Sequence, residues 1–169
     1  MNFFFKNILI VFIFIFLIQN SNAENNFKFL NIDLIIKGTK IGNEMLSKID
    51  KIDKTNIKKL NSFEVELKKI ENDIKLKKNV LSDLQFEKEV NDLKVKIAEY
   101  KKEKNLMVKK LNEVKKKELQ IFFEKINPII QNYMNKNSIE IIFNSKNIFM
   151  GNKKLDLTNQ LIIEIDNRT

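Results

Sequence analysis

FEKEVNDLKVKIAEYKKEKNLMVKKLNEVKKKELQI, residues 86–121, decides how the rest of the chain is read. Phe86, Val90, Leu93, Ile97, Tyr100, Met107, Leu111, Val114 and Ile121 follow alternating steps of four and three, with Lys104 and Glu118 on two rungs where the ladder expects an apolar side chain. A seven-residue apolar repeat kept this long is a coiled-coil seam, because its stripe faces one partner along the whole helix. The partner lies upstream. Leu60, Phe63, Leu67, Ile70, Ile74, Leu81 and Leu84 keep the same rhythm, interrupted at Lys77. Further back, Met45, Ile49, Ile52 and Leu60 include an extra four-residue step around Asn56, which locally unwinds a supercoil.

The two halves meet between Asn79 and Ser82. Ser82-Asp83-Leu84-Gln85 has the form of a capping box, in which the Ser82 hydroxyl accepts from the backbone of residue 85 and the Gln85 side chain reaches back. Asp83 in the first turn suits the helix dipole, and Asn79 suits the end of the preceding helix. The pattern predicts two helices folded back on each other, with arms about 60 Å long at 1.5 Å per residue. The competing reading is one unbroken helix with a polar patch.

Fourteen phenylalanines stand beside no tryptophan, histidine or cysteine. Without His or Cys, the common transition-metal ligand sets and the usual nucleophile–base pairs cannot be assembled. Gly38, Gly42 and Gly151 never cluster, so there is no Gly-rich phosphate loop. Carboxylate or lysine chemistry stays open in principle, but the inventory argues against an enzyme, and no catalytic, metal or cofactor residue is expected. A formal charge of +9 favours acidic partners such as nucleic acid, anionic lipid headgroups or polyanionic sugars. A genome biased toward lysine and asparagine gives the same balance on a solvated helix face. The lack of cysteine fits an oxidising compartment, and many cytosolic proteins too.

Met1 to Ala23 reads as a secretory signal. Lys6 supplies the positive start, Ile8 to Ile18 is an eleven-residue apolar run, and Ser21 and Ala23 are the small residues of a cleavage site after Ala23. Such a run is short for a membrane span, which needs about twenty residues. An uncleaved anchor is the alternative. Removal deletes Lys6 and no acid, leaving a surplus of +8.

Phe27-Lys28-Phe29-Leu30-Asn31-Ile32 alternates well enough for a strand, and Asp33 to Lys37 reads as a helical turn or linker before Thr39 caps the first arm. Past Gln120 the pattern thickens into Ile121, Phe122, Phe123, Ile126, Ile129, Ile130, Tyr133 and Met134, the density of a helix entering a core. Pro128 should bend that helix or mark its entry, and Asn135 to Asn137 should end it. Ile139 to Phe143 and Ile148 to Met150 are β-rich runs separated by Asn144-Ser145-Lys146-Asn147, which predicts a hairpin. A last helix from Thr158 or Asn159 to Ile165 should turn Leu161, Ile162 and Ile165 inward. Three strands, a helix base and a small helix make about sixty residues, too few for a generous core, with open strand edges. Self-association in a closed ring is the simplest remedy.

At this point the chain resembles the Skp/OmpH family of periplasmic chaperones. The likeness rests on Ile139 to Phe143, Ile148 to Met150, and the ending Leu155-Asp156-Leu157-Thr158-Asn159-Gln160-Leu161-Ile162. Leu30-Asn31-Ile32 resembles the family's first strand, Gly42 an early glycine of its first arm, and Val80-Leu81-Ser82-Asp83 its arm tip. The likeness spans about Phe27 to Ile165. The first helix lacks the Gln-rich start common in relatives, and the arms are richer in lysine and phenylalanine.

The resemblance implies an α+β, mostly helical chain. A small β-rich trimerisation body (24–38 and 127–169) would carry a long antiparallel coiled-coil hairpin (39–126) with its tip near 79–82. It implies a homotrimer that holds unfolded outer-membrane proteins in the periplasm without ATP, before their membrane insertion. Phe63, Phe86, Leu106 and Val108 are then candidate apolar client contacts, and Lys94, Lys101, Lys102, Lys109 and Lys115 to Lys117 a positive rim. That rim could attract acidic clients or an anionic membrane surface. Each of these residues has a plainer reading, as seam filler or solvated face. The alternative function is a membrane-anchored coiled-coil spacer of the envelope. Nucleic-acid binding is disfavoured by export and by the absence of a basic stripe interleaved with stacking aromatics.

Overall fold

The computed structural model describes residues 26–169; the expected signal segment Met1–Ala23, its cleavage point and Glu24 lie outside the described residues. Phe27–Leu30 forms β1, Ile32–Gly38 α1, Lys40–Lys77 α2, Asp83–Lys136 α3, Ile141–Asn144 β2 and Thr158–Asp166 α4. Ser145–Asn147 and Lys153–Leu155 are single 3-10 turns. The described chain is therefore mostly helical, with one small strand pair.

Thr39 joins α1 to α2. Its side chain is fully buried; the hydroxyl accepts from Gly42 N at 3.2 Å, capping α2, and donates to Ile35 O at 2.9 Å. Its own backbone N–H closes α1 on the same Ile35 carbonyl. The corner is tight enough that a Cβ at Gly42 would lie 1.9 Å from Ile36 O. Only glycine fits there, for reasons of space rather than dihedral freedom.

α2 ends at Lys77, and a turn over Lys78–Val80 leads to Ser82. Both bonds of the capping box form: Gln85 N donates to Ser82 Oγ at 3.4 Å, and Ser82 N to Gln85 Oε1 at 3.2 Å. The side chains of α2 and α3 meet along their length. Lys48 bonds Glu118, Lys59 bonds Glu103, Glu66 bonds Lys96 and Lys77 bonds Glu89, so partners descend on α3 as they climb on α2. The Phe63 and Tyr100 rings meet edge to face with centroids 6.4 Å apart. Ladder residues are half-buried on both helices, and Ile74 and Met107 are buried. Asn56 is half-buried too, carrying the contact face through the extra four-residue step.

Two rungs differ from expectation. Lys104 is exposed, and Glu103 takes the half-buried position beside it, held by Lys59. Leu84 is 80% exposed, because it lies in the first turn of α3 where α2 has already ended.

α3 continues through Pro128 to Lys136. Beyond it, Ser138 adopts φ 53°, which lets Ile139 N reach Met134 O at 2.9 Å and turns the chain toward β2. β1 and β2 pair in parallel, Phe27 opposite Ile141 and Leu30 opposite Asn144. A parallel pair needs a crossover, here everything from α1 to α3.

The expected hairpin does not form. The second strand sits at Ile141–Asn144, and the Asn144 side chain then accepts from Lys146 N at 3.1 Å, curling the chain into a 3-10 turn. Ile148–Met150 is not a strand. The other edge of β1 is met by a single bridge, Phe29 to Asp156, with Leu157 N donating to Phe29 O at 2.9 Å.

One apolar cluster holds these pieces together. Leu30, Ile35, Ile41 and Met45 meet Phe122 and Ile126 from α3, Ile139, and Leu157, Leu161 and Ile165 from the end of the chain. Leu161 and Ile165 are fully buried, as their spacing on a helix predicts, and Ile162 is half-buried against Gly38. Thr158 Oγ1 accepts from Asn31 N at 2.9 Å, tying α4 to the end of β1.

Candidate functional site

The functional candidates lie on α2 and α3, and the structure sorts them by face. Phe63 and Phe86 are half-buried in the contact between the helices. Phe63 is further occupied by Tyr100 at its edge and by Lys59 Nζ, 5.9 Å from its ring centre. Neither ring is freely presented. Leu106, Val108, Lys94, Lys101, Lys102 and Lys109 are exposed, but not all on one side.

Ion pairs identify the two flanks. Glu89, Lys96 and Glu103 stand seven residues apart on α3, and each bonds across to α2, at 3.4, 2.9 and 2.8 Å. Seven residues return a coiled-coil helix to the same side, so these three pairs lace one flank shut. The Lys59 ammonium draws the Glu103 carboxyl below the usual carboxylate range, and Glu66 holds the Lys96 ammonium protonated beyond its usual range. Nearer the core cluster, Lys48 reaches Glu118, whose side chain is only 12% exposed.

The other flank is open. Glu64 and Glu71 of α2 and Lys101 of α3 border a shallow groove with Leu67, Leu93, Ile97 and Tyr100 along it. Its cross-link is neutral to charged: the Tyr100 hydroxyl donates to Glu64, which raises the phenol's pKa above its ordinary value. Lys94, Val108 and Lys115 are multiples of seven from Lys101 and share its row. Val95, Lys102, Lys109 and Lys116 stand one residue further on, about 100° round the helix, in an outward row between that of Ala98 and that of Leu106. Among the described residues, none of the six lysines in these rows makes an ion pair.

Leu106 belongs elsewhere. It stands in the seven-residue row of Asp92, Glu99 and Glu113, between the outward lysine row and the laced flank and nearly opposite the row of Lys101. Three of the eight expected residues thus share the row beside the groove (Lys94, Lys101 and Val108), Lys102 and Lys109 stand in the outward row, Phe63 and Phe86 are in the seam, and Leu106 is separate.

The sequence reading passed over Ile57, Val65 and Val95, which are 50%, 71% and 57% exposed. The signal was available, since all three fall off the apolar ladder. Among the described residues no group of acidic side chains is placed to hold a metal ion, and no helix is long and apolar enough to cross a membrane.

No curated protein matches the sequence significantly. Among solved structures, the fold is similar to an OmpH-like protein from Caulobacter crescentus CB15 assigned as an outer membrane chaperone, with a TM-score of 0.74 and 15% identity over 88% of both chains. At that identity the likeness establishes the fold. The family model described as outer membrane protein (OmpH-like) matches residues 26–165, nearly the whole described chain. The chain therefore belongs to the OmpH-like family.

Proposed function

We propose that this protein is an ATP-independent periplasmic holdase, which binds unfolded outer-membrane proteins and keeps them from aggregating before membrane insertion. The observation that carries this reading is the helical pair itself. It is long and slender, laced along one flank, and studded elsewhere with exposed Ile57, Val65, Val95 and Val108 among lysines. Unfolded barrel strands present apolar side chains and unpaired backbone, which aggregate unless shielded. A long surface of weak apolar and charged contacts can shield them without a fixed binding pocket.

In this reading residues 39–126 are an antiparallel coiled-coil arm with its tip near 79–82, and 24–38 with 127–169 are the body. The body trimerises. Support comes from its two-stranded sheet, open along the outer edge of β2, and from Phe27, Ile141, Phe143, Phe149 and Met150, all exposed, with Phe149 at 101% and Met150 at 83%. Surfaces this apolar on so small a core are ordinarily covered by a partner. Residues 1–23 export the chain and are removed, and lysines on the arms touch anionic membrane surfaces peripherally.

The test is dilution of a urea-unfolded outer-membrane barrel protein into buffer, followed by light scattering. A stoichiometric amount of the mature protein is expected to suppress aggregation; unchanged aggregation overturns the reading. Solution mass tests the trimer, and a mature N-terminus at Glu24 tests the export step.

A further inference from the structure

We infer that the arm is two-sided: only the open flank, carrying Lys94, Lys101, Lys115 and Val108 beside the groove, receives clients. What it takes is an extended polypeptide in which acidic side chains are interspersed with apolar ones. The inference rests on the holdase reading and adds to it the face used and the chemistry recognised.

Three observations converge. The flank through Glu89, Lys96 and Glu103 already spends its charges on α2, so it has little to offer a ligand. The open flank carries a groove to which both helices contribute, with carbon from Leu67, Leu93, Ile97 and Tyr100 reaching its surface. Lys94, Lys101 and Lys115 have no acidic partner among the described residues, while the carboxylates bordering the groove are engaged, Glu64 by the Tyr100 hydroxyl and Glu71 by Lys75; the row on the far side, Asp92, Glu99 and Glu113, is acidic and would repel the same ligand. A lysine lays an apolar stem along such a groove while its ammonium stays wet, so one side chain serves both halves of a mixed peptide.

The spacing explains tolerance of sequence. Lysines seven residues apart recur about every 10.5 Å along a helix. Side chains on one face of an extended strand recur about every 6.7 Å. The two periods do not coincide, so no peptide register is favoured over its neighbours. Recognition is by composition, and the client can slide.

The experiment uses the full mature protein with photoreactive p-benzoylphenylalanine replacing Val108 on the open flank or, on the other side, Leu106. The probe is a urea-unfolded outer-membrane barrel protein. Crosslinks from Val108 are expected to exceed those from Leu106 about fivefold, a contrast set by burial of one face only. Equal yields overturn the two-sided arm while leaving the holdase reading standing; no crosslink and no protection from aggregation overturn both.

A second measurement isolates the chemistry. A fluorescent twenty-residue peptide of alternating phenylalanine and glutamate is expected to bind about tenfold more tightly than its glutamine analogue, and to lose that advantage at 1 M salt. The combined Lys94→Glu, Lys101→Glu and Lys115→Glu variant should remove the preference, and Glu99→Lys with Glu113→Lys should preserve it. Equal binding of both peptides, or photoprobes that label anionic phosphatidylglycerol vesicles in preference to the polypeptide, overturns the assignment.

Discussion

Replacing Gly42 by alanine separates two opposite expectations about the corner between α1 and α2. Helix propensity alone makes Gly42→Ala stabilising by about 1 kcal/mol, since the position is inside α2. The packing says otherwise. The new methyl would lie 1.9 Å from Ile36 O and 2.8 Å from Thr39 Oγ1, both under the 3.0 Å that real Cβ atoms respect. Relief requires α1 to retreat by roughly 1 Å, an overpacking penalty of about 2 kcal/mol. The same movement pulls on Thr39, whose hydroxyl caps Gly42 N, and a lost cap costs about 1 kcal/mol more.

The balance is a net loss of about 2 kcal/mol. With a urea slope of about 2 kcal/mol per molar, the unfolding midpoint should drop by about 1 M. The assay is urea unfolding followed by circular dichroism, with wild type and variant at the same protein concentration because assembly shifts the midpoint. A midpoint that is unchanged or higher refutes the argument, and would mean that α1 yields freely at Ile36.

Other expectations follow from the same contacts. Ile126→Ala empties a side chain of 0% exposure in the centre of the cluster, and should lower stability by about 2–5 kcal/mol in the same urea assay. Thr39→Ala should cost about 1–2 kcal/mol by removing the cap on Gly42 N and one of the two hydrogen bonds to Ile35 O, whereas Thr39→Ser should recover most of it. Tyr100 should titrate above the ordinary phenol range, because its hydroxyl donates to Glu64. Ultraviolet titration in a Tyr133→Phe background reads this directly, and Glu64→Gln should bring the midpoint down. Because the folded pKa is the higher one, any stability from this bond is present at neutral pH and lost as pH rises through the Tyr100 midpoint.

The features legible from residues alone are those written locally along a helix. The Ser82 and Gln85 capping box, the Thr39 cap and the inward Leu161 and Ile165 follow from side chains a few positions apart. The apolar ladder did the same for the seam, because a seven-residue repeat needs no knowledge of the rest of the chain. It misled at Leu84, where the partner helix had run out, and at Lys104, where Lys59 drew Glu103 into the contact instead.

Only the tertiary structure decided the rest. Asn144 to Asn147 carries hairpin-type residues, yet β2 pairs in parallel with β1, more than a hundred residues away, and Asn144 bonds its own chain. Strand pairing is a non-local choice, so turn chemistry between two β-rich runs cannot make it. Gly42 likewise is an ordinary helix position until Ile36 O is seen at 1.9 Å from its missing Cβ. The flanks of the helical pair were also hidden. Lysines stand on several faces of α3, and which of them stay unpaired depends on where Glu66 and Lys59 arrive from the other helix. Periodicity specifies that a helix has a partner; the charges on that partner specify which side is left for anything else.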